Sequence, residues 1–281
     1  MSTQKTLMAI YDAYPNLFEK EKQVAEYIIA HPREVTEMNV SELAEKSNVS
    51  DATIIRFSKK VGFQGFYHLK IALAKESVEL ERSFMLTLQS GSTKADITEI
   101  FEHKINELRA TMEALDEQEV EKCISLIRNC DTLHVFAAGN TNPVARYAAF
   151  QFGLAGIRTV VNVTPEAQII NAYLMKKTDV ALGITYSGTT NMMLDVFSIT
   201  KNMSVPSICI TSFENSPVAQ LCDHKLKFIS TEHAFFEAFS STKMNAMAVV
   251  DMLVLLVSQN GDNNTLPYNS EREEMLAKYK T

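Results

Sequence analysis

Residues 40–59 read Val40-Ser-Glu-Leu-Ala-Glu-Lys-Ser-Asn-Val-Ser-Asp-Ala-Thr-Ile-Ile-Arg-Phe-Ser-Lys59, and this stretch decides the architecture of the amino-terminal part of the chain. Leu43 and the small Ala44 fall inside a first short helix, Val49 in a turn, and Ile54 and Phe57 inside a second helix. That is the spacing two helices need to cross near a right angle. Asn48 stands in the turn, where the backbone needs a positive φ that few residues besides glycine accept. Ser50 caps the second helix and presents its hydroxyl and the first-turn N–H groups to a phosphate. With Ile54, Phe57 and Val61 turned to the core, the outward face carries Ser50, Asp51, Ala52, Thr53, Arg56, Lys59 and Lys60, a set able to enter a DNA major groove. Arg56 suits a bidentate guanine contact, and Lys59 and Lys60 suit phosphates.

The charge of this region supports that reading locally. Residues 50–75 hold Arg56, Lys59, Lys60, Lys70 and Lys75 against Asp51 alone, whereas the whole chain has 27 Lys and Arg against 34 Asp and Glu. Net charge therefore gives no general argument for nucleic-acid binding, and the DNA contact has to be confined to this helix. A solvated helical domain with a cationic face is the plain alternative.

Upstream, apolar residues recur at helical steps (Leu17, Val24, Tyr27, Ile28), Pro32 stops one helix, and Asn39 or Ser41 caps the next, so residues 4–75 read as helical throughout. Between Glu76 and Ile100 acidic residues accumulate and Ser90-Gly91-Ser92-Thr93 interrupts any helix, the composition of a partly helical linker. Phe101, Ile105, Leu108, Met112 and Leu115 then describe one amphipathic helix, and Val120, Cys123, Ile124 and Ile127 another. Short apolar runs follow at Thr132–Ala137, Thr159–Val163, Val180–Thr185, Ser207–Thr211 and Lys225–Ile229, alternating with helical stretches. This is the pattern of a doubly wound α/β domain around a mostly parallel five-stranded sheet. The expected division is 1–77 for the helical domain, 78–105 for the linker and 106–281 for the sheet domain.

A chain of 281 residues with 46% apolar and 22% charged residues can bury two cores, which excludes disordered and fibrous classes. Cys123, Cys130, Cys209 and Cys222 form no C-x-x-C pair, so they read as reduced thiols of a cytoplasmic protein, with no metal site and no cofactor implied. The most hydrophobic stretch, Ala246–Val257, contains Asp251 and is too short to span a bilayer. It reads as a buried helix, and Asn245–Val257 as a face for joining subunits.

In doubly wound sheets ligands bind at the carboxyl ends of strands. There, Thr185-Tyr-Ser-Gly-Thr-Thr190 gathers hydroxyls and amides at a helix N-terminus, and Gly188 permits close approach, an arrangement suited to a phosphate. A self-capped loop is the alternative from the residues alone.

Two resemblances extend these readings. Val49-Ser-Asp-Ala-Thr-Ile-Ile-Arg-Phe-Ser-Lys-Lys-Val-Gly-Phe-Gln-Gly-Phe66, with His68-Leu-Lys-Ile-Ala-Leu73, resembles the DNA-binding domain of the RpiR family of bacterial regulators over about residues 1–77. Its Gly62-Phe63-x-Gly65-Phe66 tail is not a general helix-turn-helix feature. The loop at 185–190 resembles the S-x-S-G-x-T motif of sugar isomerase (SIS) domains, a flavodoxin-like fold, with Thr185, Ser187 and Thr190 at its hydroxyl positions. Thr185 replaces the usual serine and Thr189 a common acidic residue. A second motif, G-x-G-x-S, is represented by Ala137-Ala-Gly-Asn-Thr141 with its first glycine lost. The likeness continues through Ile210-Thr-Ser-Phe-Glu-Asn-Ser-Pro-Val-Ala219 and Asp223, over about residues 106–260.

The resemblance implies a transcriptional regulator of carbohydrate metabolism whose partners are operator DNA, a phosphorylated sugar effector and a second copy of itself, as a homodimer or higher homo-oligomer, with no membrane. Gly139, Asn140, Thr141, Glu166, Thr185, Ser187, Gly188 and Thr190 are the expected effector contacts. The competing class is a sugar-phosphate isomerase, for which Glu166, His233 and Glu237 are the nearest acid/base candidates. Glu166 also suits the first turn of a helix simply because an acid offsets its dipole. The regulator reading has no catalytic residues.

Overall fold

The computed structural model describes residues 5–87, 93–230, 242–259, 271 and 274–279. The amino-terminal part is helical: α1 (Lys5–Ala13), a 3-10 turn at Tyr14–Asn16, α2 (Glu19–Ala30), α3 (Pro32–Val35), α4 (Val40–Lys46), α5 (Asp51–Lys60) and α6 (Phe66–Thr87). Local chemistry fixes these ends. Asn39 accepts hydrogen bonds from the N–H groups of Ser41 and Glu42, while the Glu42 carboxylate accepts from Asn39 N, a reciprocal cap at the start of α4. Leu43, Ile54, Phe57, Leu69 and Leu73 are fully buried together with Ile10, Val24 and Ile28 from α1 and α2. Helix α6 runs straight through residue 77 to Thr87, and α7 (Thr93–Ala114) starts soon after, so helix occupies most of the stretch read as linker. Ser90, Gly91 and Ser92 lie outside the described residues.

After α8 (Glu117–Asn129), five strands alternate with helices: β1 (Leu133–Ala137), α9 (Asn142–Leu154), β2 (Thr159–Val161), α10 (Pro165–Leu174), β3 (Val180–Thr185), α11 (Asn191–Asn202), β4 (Ser207–Thr211), α12 (Pro217–Leu221) and β5 (His224–Lys227). The sheet order is β2-β1-β3-β4-β5, with every pairing parallel. Each expected strand exists, with β1 starting one residue later than expected, β2 ending two residues earlier, and β5 starting one residue and ending two residues earlier. Strands β1, β3 and β4 are buried along their whole lengths, because helices cover both faces of a parallel sheet. Side chains divide by alternation: Leu133, Val135, Ala137, Leu182 and Ile184 pack with α8, α9 and α13 (Thr242–Gln259), while Phe136, Ala181 and Cys209 pack with α10, α11 and α12.

Helix α13 is the buried helix expected from the sequence. It turns Ala246, Val249, Val250, Leu253 and Val257 into the sheet domain's own core, and the Arg128 guanidinium donates to the carbonyls of Leu256 and Val257 near its C-terminal end. That face is packed within the chain, while Leu255 on another side of the helix is exposed. Among the described residues, no helix is long and apolar enough to cross a membrane.

Candidate functional site

The second helix of the helix-turn-helix forms as its sequence demands. Asn48 takes the positive φ of the turn, +52°. Ser50 caps α5, its Oγ accepting from Thr53 N at 3.3 Å. Asp51, Ala52, Arg56, Lys59 and Lys60 are exposed, and Ile54 and Phe57 are buried. Two of the seven face residues sit differently from expectation. Thr53 is buried, because its side chain leans on the cap, with its Oγ1 3.0 Å from Ser50 Oγ, and it also takes a 3.4 Å contact from the Arg56 guanidinium. Lys60 is partly committed: its Nζ lies 2.6 Å from Glu21 Oε2 and 4.3 Å above the Phe18 ring. Burial would raise the Glu21 carboxyl, but hydrogen bonds from Lys60 and from Phe18 N hold it below the usual carboxylate range. Ile55 is the exposed face residue that the sequence reading missed; its apolar character gave the wrong sign for an outward position. Ser41 Oγ donates to Asp51 Oδ2 at 2.7 Å, tying the two helices across the turn.

The second cluster lies at the carboxyl edge of the sheet. The strand order reverses between β1 and β3, which are neighbours in register, Ala137 opposite Ile184. The loops that follow them are therefore adjacent, at the switch point where doubly wound sheets hold ligands. The loop after β3 is held from several sides. Gly188 N donates to Thr185 Oγ1 at 3.1 Å, Ser187 Oγ and Thr189 Oγ1 are 2.9 Å apart, and Val218 N donates to Gly188 O at 2.9 Å. Thr211 Oγ1, at the end of β4, donates to Tyr186 O at 3.1 Å. Gly188 has φ +65°, and an added methyl would stand 2.5 Å from Ser216 Cβ and closer still to its Oγ. Thr185 is buried, Ser187 half-buried and Thr190 exposed at the start of α11.

The loop after β1 is a 3-10 turn, Gly139–Thr141, with Gly139 at φ +55°. Gly139 and Asn140 are exposed, while Thr141 is buried and donates to Ala138 O. Glu166 is exposed in the first turn of α10, and lines a groove of about 460 Å³ with Pro165, Ile169, Ile170, Met192 and Asp195. His233 and Glu237 lie outside the described residues.

Sequence reasoning missed three residues here. Gln168 is buried on α10 and brackets the end of β1, its amide donating to Ala137 O and accepting from Ala137 N. Among the described residues, Ser212 Oγ and Asn142 Oδ1 are buried without a hydrogen-bond partner, and they follow the ends of β4 and β1. A lone Ser or Asn after a strand carries no sequence signal; the sheet order puts both at the carboxyl edge, on either side of the loop after β3.

The helical half of the chain touches this second cluster through α1. Tyr11 of α1 donates its hydroxyl to Ser187 O at 2.9 Å, and its ring stacks on Phe213 with centroids 3.8 Å apart. Phe213 also meets Tyr186 edge-on at 5.4 Å. Burial pushes the Tyr11 hydroxyl well above its ordinary value, so it stays protonated as a donor. Burial likewise raises the thiols of Cys123 to about 12 and of Cys130 to about 11.

A helix-turn-helix unit joined to a doubly wound sheet, with a hydroxyl-lined loop at its switch point, defines a two-part regulator architecture. The chain belongs to the RpiR family of transcriptional regulators: residues 4–79 match the family model for the rpiR-family helix-turn-helix domain, and residues 126–261 match the SIS domain. An uncharacterized HTH-type transcriptional regulator of Caldanaerobacter subterraneus subsp. tengcongensis is 29% identical, covering 96% of both chains. Another from Clostridium perfringens is 27% identical over 84% of this chain and 85% of its own. Among solved structures, Vibrio vulnificus NanR complexed with ManNAc-6P aligns over 98% of this chain and 97% of its own, with TM-score 0.60 and 18% identity. The sugar isomerase domain of an RpiR transcription factor from Sphaerobacter thermophilus aligns over 63% of this chain and 97% of its own, at TM-score 0.58 and 20% identity. These likenesses establish the fold expected from the sequence.

Proposed function

We propose that this regulator is a cytoplasmic homodimer that reads an operator through α5 and changes its hold on DNA when a phosphorylated sugar enters the loops after β1 and β3. Arg56 makes the base contact and Lys59 the phosphate contact. Lys60 contributes less, being shared with Glu21. On the effector side, the amides and hydroxyls of 185–190 hold the phosphate, and Gly139, Asn140, Thr141 and Glu166 meet the sugar. Ser212 and Asn142 offer further polar atoms at the same edge. The binding of ManNAc-6P by the NanR protein supports this ligand class. Turnover has no role in the scheme.

One observation carries the coupling: a helix of the DNA-binding half donates a hydrogen bond to the backbone of the effector loop, Tyr11 Oη to Ser187 O. An effector shifts a two-state equilibrium only through differential affinity for the two states. A phosphate seated on the amides of this loop repositions the carbonyl that Tyr11 holds, and so acts on α1 and the helices packed against it.

The test is thermal stability against a panel of hexose and N-acetylhexosamine 6-phosphates, their unphosphorylated counterparts and inorganic phosphate. Ligand at about 100 times its Kd adds about 2.7 kcal/mol. A rise confined to a phosphorylated sugar, and a changed affinity for duplexes selected from a random pool, is the expected result. No rise across the panel removes the effector half of the reading, and sustained isotope exchange on a stabilising sugar converts it to an isomerase.

A further inference from the structure

Helix α7 is inside out. Its inward side is polar: Glu107 is 2% exposed and accepts from Asn245 Nδ2 at 3.2 Å, and Thr111 is 3% exposed, its Oγ1 accepting from Ile229 N at 2.9 Å. Apart from Ile100, which shares the Glu107 side and is 38% exposed, its large apolar residues face the other way. Ile97 is 52% exposed, Phe101 63%, Ile105 38% and Met112 67%, with Leu108 half-buried between them. At about 100° per residue these five fall within a strip roughly 80° wide, centred about 120° from Glu107, and about 22 Å long. The sequence gives the amphipathic pattern of this helix but not which side of it faces the chain. Isolated exposed apolar residues are ordinary, but a contiguous strip on one helix marks an interaction surface.

From this strip and its flanking charges we infer that α7 pairs antiparallel with α7 of a second copy of the chain. Phe101, Ile105, Leu108 and Met112 are spaced 4, 3 and 4, a heptad seam that packs against its own copy. Charge complementarity sets the direction. Glu102 and Arg109 lie on one edge of the strip, seven residues apart, and Lys104 lies on the other. In an antiparallel pair the Glu102 edge faces its own copy, so Glu102 meets Arg109 of the second copy twice over. In a parallel pair Lys104 would face Arg109, two like charges, and Glu102 would meet none of the opposite sign. The pairing supplies the second copy that the proposed regulator needs, and rests on that reading for the number of chains alone. Its test measures association, so it fails separately from effector or operator binding.

The experiment is sedimentation equilibrium of the full chain over a concentration series. Ile105→Glu, which places two carboxylates in the seam, raises the dimer Kd by about 100-fold or more. Arg109→Glu and Glu102→Arg each weaken association about tenfold, and the double swap restores it to within about threefold of the parent. All these positions are exposed or half-buried in one chain, so circular dichroism should show unchanged folding. Leu174→Glu, on the exposed apolar end of α10, is the control and leaves the Kd unchanged. A monomeric parent protein overturns the inference. So does dissociation by Leu174→Glu with Ile105→Glu silent, and tighter association by Arg109→Glu indicates the parallel arrangement and overturns the antiparallel one.

Discussion

Replacing Gly188 with alanine tests whether the effector loop is held by close backbone approach. The residue sits at φ +65°, where a Cβ costs roughly 1 kcal/mol. The added methyl also meets Ser216 Cβ at 2.5 Å, well inside contact distance, and overpacking of this kind costs typically 1–3 kcal/mol. The sum is about 3 kcal/mol, a fall in Tm of roughly 6–12 °C for a domain of this size. Ser216 is the N-cap of α12, its Oγ accepting from Ala219 N at 3.4 Å, so Ser216→Gly alone costs only a few tenths of a kcal/mol. In the double variant the clash is gone and only the backbone cost and the weaker cap remain. Chemical denaturation of the four proteins should therefore give a coupling of about 2 kcal/mol in the direction of rescue. A Gly188→Ala loss below about 1 kcal/mol, or additive losses in the cycle, would refute the claim that Ser216 and Gly188 share one space.

Three further outcomes follow from the same geometry. Tyr11→Phe keeps the stack on Phe213 and removes one hydrogen bond, worth about 1 kcal/mol; the ratio of operator affinities with and without effector should change about fivefold, and an unchanged ratio would exclude Tyr11 as the link. Arg56→Ala should cost roughly 1–3 kcal/mol at one base position, whereas Lys59→Ala should weaken all sequences and lower the salt slope by about one; fluorescence anisotropy over a salt series separates the two, and swapped behaviour would reverse the roles. His134 is buried on β1 beside Asn171 and Asp179, and burial lowers its pKa below 6.5 even though Asp179 opposes that. The unfolded chain then binds the proton more readily, so this contribution to stability is present above about pH 6.5 and is lost as pH falls below it. His134→Gln should flatten the acid side of the stability profile, and an equally steep profile would count against it.

The sheet was legible because parallel strands covered on both faces are nearly continuous apolar runs, and Val180–Thr185 and Ser207–Thr211 can hardly be anything else. The helix-turn-helix was legible for a different reason: Leu43, Val49, Ile54 and Phe57 must stand at fixed steps around one turn. What stayed hidden depends on what lies across from a residue. Thr53 is polar yet buried, because its hydroxyl closes on the cap at Ser50; Ile55 is apolar yet exposed, because the helix has only one inward face. The apolar side of α7 pointed away from the chain for a related reason: Asn245 and the Ile229 backbone supply partners for Glu107 and Thr111, and periodicity alone carries no information on which face finds partners. Ser212 and Asn142 belong to the same group, since their neighbourhood is created by strand order.

The aromatic stack of Tyr11 on Phe213 has a consequence for how the molecule comes apart. Phe213 comes from the sheet half but is buried among Leu7, Ile10, Tyr14 and other side chains of the helical half, so neither half can lose its packing without exposing a ring that the other covers. The two should melt as one cooperative unit, with a single calorimetric transition. Trimming Phe213 to alanine should split that transition in two, as the halves uncouple and the weaker one unfolds first.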